Sequence, residues 1–480
     1  MTRTVLISAL TVLSTAFFAN PSAQGTDLAR RIASAPDGLV KMTYAAREGV
    51  CGDGRSFIAE ATSAARGYEV WFLDGMSMSS VSGDIGARCA SGPVRLLLVV
   101  RDRRVVAVQP FVGPSSPATE RAATDLGTVP VADVSRYLLG LAAQGREEIG
   151  RNAILAATIA DSVRIAQPLA AIATNKTLAP SVRESALRWV GRTAARDGDR
   201  EAMEVPRTIA EDGDDRVEVR ERAIRVIGDE PDGTVYLRSL YPRLDHLTLR
   251  ERVVRVVGES GTRGDIDWIR GIALDRGERT AIRERAVRVI GEASNARALR
   301  DLYNELDDAT LRERVLRSVA EVGDTESRTW LRQIVERRTE TETLRERAIR
   351  SLAEMGDLTY LRSAYRSLDD DGLRERILRS VVDGGGSETT AWLREIARDA
   401  KERSALRERA VRSLAESGAA TSELISLYDA VPDYVVRERL VTLLAERGDR
   451  AARDKLRAIA SDDPSEDLRR RAVRKLAESR

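Results

Sequence analysis

The segment Leu249-Arg250-Glu251-Arg252-Val253-Val254-Arg255-Val256-Val257-Gly258 is one copy of a motif that recurs through most of the chain. Its second residue marks the copies: Arg183, Arg220, Arg250, Arg283, Arg312, Arg345, Arg374, Arg407, Arg437 and Arg469. Successive copies lie 37, 30, 33, 29, 33, 29, 33, 30 and 32 residues apart. Self-similarity at a period of about 20–50 residues marks a repeat architecture, in which each unit buries its apolar face only against its neighbours. The gaps alternate between short and long, so the full period is a pair of units. Trp268, Trp330 and Trp392 recur every 62 residues, as do Tyr241, Tyr303 and Tyr365, with Tyr428 following 63 residues later. Duplication of a two-repeat block accounts for this spacing.

At about 100° per residue, Leu249, Val253, Val256 and Val257 fall in one apolar stripe, and Glu251 and Arg255 share the opposite side. Glu four residues ahead of Arg is the favourable order, contributing roughly 0.2–0.5 kcal/mol per pair. The pair recurs as Glu221/Arg225, Glu284/Arg288, Glu313/Arg317, Glu346/Arg350, Glu375/Arg379 and Glu408/Arg412. Gly258-Glu259 and Gly291-Glu292 read as helix ends. A shorter helix is expected ahead of each copy, over residues 236–244, 266–274, 298–306, 329–335, 360–368 and 391–397. Between the two helices, five residues before the motif arginine, stands an acid: Asp215, Asp245, Asp307 or Asp369. It is expected to cap the second helix and to meet the arginine that follows.

Asp307 followed by Arg312-Glu313-Arg314-Val315 resembles the interhelix turn and second helix of the HEAT-repeat family, in its short bacterial form. The resemblance spans residues 131–480. Departures are Glu278, Glu340 and Glu402 in place of the acid, and Pro432 at that position in the ninth copy. The resemblance implies a mainly α chain, an α-solenoid of about ten or eleven two-helix repeats. It also implies that the second helices line a concave, partner-binding face, and it implies no reaction. Residues 133–143 and 147–160 read as a degenerate first repeat, with Gly150 where the arginine belongs, as expected of an end cap. At the other end Arg470 replaces the motif Glu and stands four residues from Arg474.

Each motif carries three arginines. Within one copy Arg250 has Asp245 and Arg255 has Glu251, but Arg252 has no partner. Its equivalents are Arg222, Arg285, Arg314, Arg347, Arg376, Arg409 and Arg439. One reading has each reach a Glu on the adjacent repeat, making a lateral ladder. The sharper reading is a row of free guanidinium groups facing an acidic partner. The candidate partner-binding residues are therefore Arg222, Arg252, Arg285, Arg288, Arg314, Arg317, Arg347, Arg350, Arg376, Arg379 and Arg409.

The N-terminal quarter has another texture. Arg3 precedes an apolar run over residues 5–19, too short for a comfortable membrane span, and Ser22-Ala23-Gln24-Gly25 offers small residues for cleavage. Residues 1–25 are read as a secretory signal peptide. No Cys lies there, so lipid attachment is not indicated and the expected location is periplasmic or extracellular. Residues 26–130 hold both cysteines and no motif copy. Residues 93–100 and 104–112 are β-branched runs around Arg101-Asp102-Arg103, a hairpin pattern, and Val40, Met42 and Tyr44 alternate as in a strand. Gly52-Asp53-Gly54 and Gly83-Asp84-Ile85-Gly86 mark turns, and Gly113-Pro114-Ser115-Ser116-Pro117 marks a linker. A small α+β or β domain is expected, with Cys51 and Cys89 joined as a disulfide in an exported chain.

Charge excludes little but weakens one class. The chain carries 77 basic and 75 acidic residues, so no global attraction to a polyanion exists, and nucleic acid is disfavoured as a partner. His246 is the only histidine, which removes schemes needing a histidine pair or a histidine-rich metal site. Gly384-Gly385-Gly386 lacks the strand before and the Lys-Ser/Thr after that a phosphate-binding loop needs. The expectation is a non-enzymatic scaffold or adaptor for a protein or peptide, with no cofactor, no metal and no membrane span in the mature chain. The alternatives are a polyanion binder using the arginine row, and an enzyme with its site in the N-terminal domain.

Overall fold

The computed structural model describes residues 21–61, 68–72, 78–81, 89–114, 122–293, 295–382 and 386–478. The apolar run at 5–19, the 83–86 turn, Gly384-Gly385 and part of the 113–117 linker lie outside the described residues. Two compact units divide at Val256/Val257, inside the helix Leu247–Glu259. Helices make up about two-thirds of the described residues.

The first unit, Met1–Val256, opens with helix Pro21–Ser34 and nine strands in two sheets. The strands are β1 (Gly38–Tyr44), β2 (Val50–Gly52), β3 (Phe57–Ala61), β4 (Tyr68–Phe72), β5 (Met78–Val81), β6 (Ala90–Ser91), β7 (Val94–Arg101), β8 (Arg104–Phe111) and β9 (Thr124–Thr128). One sheet has the order β8-β7-β1-β9 and the other β5-β4-β3-β2-β6. The expected hairpin is β7–β8. Asp102 and Arg103, at φ 49° and 61°, form its two-residue turn, whose left-handed backbone matches the twist of the flanking strands. Val40, Met42 and Tyr44 all point into the core, as their alternation predicts. β9 runs parallel to β1, a pairing the sequence did not suggest. Cys51 on β2 is joined to Cys89 beside β6, against Phe57, Ala59 and Val70.

The sheets are bonded to the first helices rather than strung beside them. Tyr44 donates its hydroxyl to the Ala156 carbonyl at 2.7 Å, and Asn152 donates to the Val108 carbonyl at 2.9 Å. Arg47 links Glu60 of β3 to the Thr158 carbonyl. Both acceptors at 156 and 158 lie in the last turn of helix Glu147–Thr158, where carbonyls lack intrahelical donors.

Eleven helix pairs follow from Val131 to Glu478 among the described residues. In each unit, second helices pack on the second helices of the next pair. The six first helices expected from the sequence each begin two to four residues earlier than expected, and all but Gly233–Leu240 are longer. Arg263–Leu274 and Thr325–Glu336 are capped at Thr262 and Asp324, whose side chains accept N–H groups of the first turn. Helices Leu247–Glu259 and Thr280–Glu292 end on the expected Gly258-Glu259 and Gly291-Glu292, with each glycine in the last turn. A Cβ at Gly258 would overlap Val289 of the next second helix, so glycine there sets how closely the two helices approach. Gly150 has the same cause in the first unit, where a Cβ would stand 2.9 Å from Val182 Cγ2.

Candidate partner-binding site

The motif arginine is a structural part. Its Nε donates to a carbonyl at the end of the preceding first helix: Arg183 to Ala173 at 2.8 Å, Arg283 to Ala273 at 2.9 Å, Arg345 to Val335 at 2.8 Å. A cation there complements the negative end of the helix and satisfies an orphan acceptor. Its terminal nitrogens then reach an acid of the following repeat. Arg183 meets Asp215 at 2.7 and 2.5 Å, Arg312 meets Glu340 at 3.1 Å, Arg407 meets Asp433 at 3.2 Å, and Arg374 meets Glu402. The expected contact between turn acid and following arginine is thus corrected: in these pairs the acid serves the arginine of the repeat before. The reason is geometric, since the arginine points back toward the first helix and across the interface. Capping falls to the next residue, Asp308 and Asp370, while Asp307 and Asp369 pair with Arg276 and Arg338.

The 62-residue period has its cause here too. Arg312, Arg374 and Arg437 lie over the rings of Tyr303, Tyr365 and Tyr428 at 4.3, 4.4 and 4.6 Å. Trp330 and Trp392 meet Tyr303 and Tyr365 edge-on at 5.1 and 5.4 Å. These aromatics are buried packing and form no ligand cage.

The second arginine of the motif divides into paired and unpaired members. Arg252 holds Glu221 of the preceding repeat at 2.9 and 3.0 Å, and Arg376 holds Glu346 in the same way. Arg222 stands 3.9 Å from Glu184, and Arg439 stands 3.9 Å from Glu408. Arg347 and Arg409 turn the other way, to Glu354 and Glu416 on their own helices. Arg285 is also engaged. The lateral ladder is closed at Arg252 and Arg376 and looser at Arg222 and Arg439, and where closed it takes acids away from the expected i,i+4 pairs. Arg379–Glu375 and Arg412–Glu408 keep that pairing at 2.7 and 2.9 Å. Glu221 and Glu346 are drawn to the neighbouring repeat.

Arg288, Arg314, Arg317 and Arg350 make no hydrogen bond or ion pair among the described residues, and Nε of Arg288 and of Arg314 is buried without an acceptor. Around Arg317 and Arg350 the second unit has a groove of about 560 Å³, lined also by Arg328, Arg347, Glu321 and Glu354. Burial, then the neighbouring Arg288 and Arg317, lower the proton affinity of Arg314. Burial and the neighbouring Arg317 and Arg350 do the same to Arg347, against Glu354. In the first unit burial beside Arg188 and Arg225 brings Arg222 down to about 10. Sequence reasoning named most of these arginines but missed Arg328, which comes from the first helix Thr325–Glu336.

It also missed an apolar groove of about 630 Å³ in the first unit, lined by Leu139, Ile165, Ile172 and Leu178. The signal was present as a break in the repeat: Ser162-Val163-Arg164 stretches the link between pairs. His246 lies at the start of helix Leu247–Glu259, exposed, with its Nδ1 accepting the Thr248 N–H at 3.3 Å. Among the described residues no helix is long and apolar enough to cross a membrane.

The class defined by this architecture is an α-solenoid of HEAT-like helix pairs carrying an N-terminal sheet region with one disulfide. No protein-family model and no curated protein matches the chain. Among solved structures, human deoxyhypusine hydroxylase in complex with glycerol is similar at 17% identity and a TM-score of 0.24, over 60% of this chain and 98% of that one. The CpcE–CpcF complex of phycocyanin lyase from Nostoc is similar at 15% identity and a TM-score of 0.24, over 52% and 94%. Kap95p, in a complex with RanGDP, is similar at 9% identity and a TM-score of 0.39, over 73% of this chain and 56% of that one. At these values none of them assigns an activity or a partner to this chain.

Proposed function

We propose that this chain is a non-enzymatic scaffold, working outside the reducing cytoplasm, that holds a protein or peptide partner on the exposed side of its second helices. The observation that carries the reading is a groove on that side, in which Arg317 and Arg350, exposed and without acidic partners among the described residues, stand beside Arg328 and Arg347. A folded chain gains nothing by leaving such cations uncompensated, whereas an interface uses them for orientation and specificity. The Cys51–Cys89 bond supports an oxidising compartment, and the apolar N-terminal run supports export to it.

The test is site-specific photo-crosslinking in the cell envelope of the producing organism. A crosslinker at Arg317 should trap a discrete partner, and one at Arg297, exposed on a first helix, should not. Equal trapping at both positions, or at neither, refutes the assignment to the second-helix face. The polyanion alternative predicts a steep loss of binding with salt, because phosphate contacts release counterions.

A further inference from the structure

We infer that the groove between helices Ala309–Val322 and Glu342–Glu354 binds the carboxylates of an acidic peptide segment. This assignment rests on the partner-binding reading above and adds the ligand's chemistry to it.

Three helices furnish the groove. Arg317 and Glu321 come from Ala309–Val322, Arg328 from Thr325–Glu336, and Arg347, Arg350 and Glu354 from Glu342–Glu354. Gly323, at φ 73°, turns the chain sharply between the first two, so Arg328 is brought back beside Arg317. Arg317 and Arg350 are exposed and unpartnered among the described residues. Arg347 is 8% exposed, and its Nε has no acceptor. Among the described residues it donates to Glu354, at 3.3 Å. Nε of Arg328 is also buried without an acceptor.

At the third arginine of the motif, Arg225, Arg255 and Arg288 lack acidic partners among the described residues as Arg317 and Arg350 do, while at the second the pairing varies from block to block. Arg314 stands 62 residues from both Arg252 and Arg376, and those two hold Glu221 and Glu346. Arg314 holds nothing among the described residues. Arg409, the equivalent of Arg347 one block later, has both Ser413 and Glu416. Burial first, and neighbouring cations after it, depress the proton affinity of Arg314 and Arg347, and an entering anion offsets the cationic part. A guanidinium fork matches a carboxylate with two parallel N–H donors.

The groove's own acids decide between anions. Glu321 and Glu354 line it beside the arginines. A phosphate polymer offers only acceptors and repels both. A peptide offers spaced carboxylates for the arginines and backbone N–H donors for the two glutamates.

The experiment uses the whole chain and a fluorescein-labelled peptide of alternating Glu and Gly, read by anisotropy. The Arg317→Gln/Arg350→Gln variant should bind at least about tenfold more weakly, and Arg297→Gln within about twofold of the parent. The thermal melt checks that the double variant stays folded. No binding to the parent chain overturns the assignment. Equal binding to parent and double variant overturns it too, while retained crosslinking at second-helix positions would leave the partner-binding reading standing. Inorganic polyphosphate that binds more tightly than the peptide, through the same two arginines, overturns it in favour of a phosphate site.

Discussion

The residue with the largest structural effect is the motif arginine, and its first copy is the most buried. Arg183 is 1% exposed and meets Asp215 through two nitrogens. Removing one member of such a pair leaves a buried charge, so Arg183→Met should cost about 3–5 kcal/mol. Arg183→Met with Asp215→Leu should recover most of the loss, because both charges leave together. Hydrogen exchange in helix Val217–Gly228 reads both variants. The pair also sets a pH dependence. Burial pushes the Asp215 carboxyl up, but the bonds from Arg183 and the Arg216 N–H hold it below its ordinary value of 3.8. A depressed folded value means the contribution is fully present above the unfolded value and is lost as pH falls below it. Acidification from pH 6 to pH 3 should therefore destabilise the parent chain more than Asp215→Asn, in melts of the two proteins.

At the scale of one helix, the two faces of Ala309–Val322 respond in opposite ways. Glu313 and Arg317 make no bond to each other, so replacing both with Gln should cost below about 1 kcal/mol. Val315 and Val319 are fully buried, and Asp at either should cost several kcal/mol, on the order of 3 or more, because it buries an unpaired charge. Differential scanning of the three variants would separate the faces. If Glu313→Gln/Arg317→Gln lowers the melting temperature as far as Val315→Asp, the assignment of faces is wrong. Gly258→Ala should destabilise by about 1–3 kcal/mol despite the helix propensity gained, since the new methyl meets Val289.

At the scale of the molecule, stability is distributed over neighbouring pairs, so unfolding need not be a single step. The disulfide closes a separation of 38 residues and contributes about 4 kcal/mol on a chain-entropy estimate. That stabilisation belongs to the first unit, where the sheets bond to helix Glu147–Thr158. Cys51→Ser/Cys89→Ser should lower amide protection in Met1–Val256 and leave protection in Val257–Arg480 unchanged, by hydrogen exchange with mass spectrometry. Equal losses in both units would contradict this localisation. In protein from the envelope, non-reducing mass spectrometry should find Cys51 and Cys89 linked. Two alkylatable thiols would contradict the proposed compartment.

Periodicity alone determined the helix pairs, their number and the apolar stripe of each second helix, because burial of one face repeats with the helical turn and any sequence of this pattern must obey it. The strand of Val40, Met42 and Tyr44 and the hairpin around Asp102-Arg103 were legible for the same local reason. Choice of partner was not local. Whether Arg252 takes Glu221, Arg347 takes Glu354, or Arg314 takes no acid depends on which carboxylate the neighbouring repeat brings within about 3–4 Å. Nor did spacing show that Asp215 serves Arg183, or that Gly258 opens space for Val289. These are contacts between residues about thirty positions apart, and only packing one repeat on the next decides them.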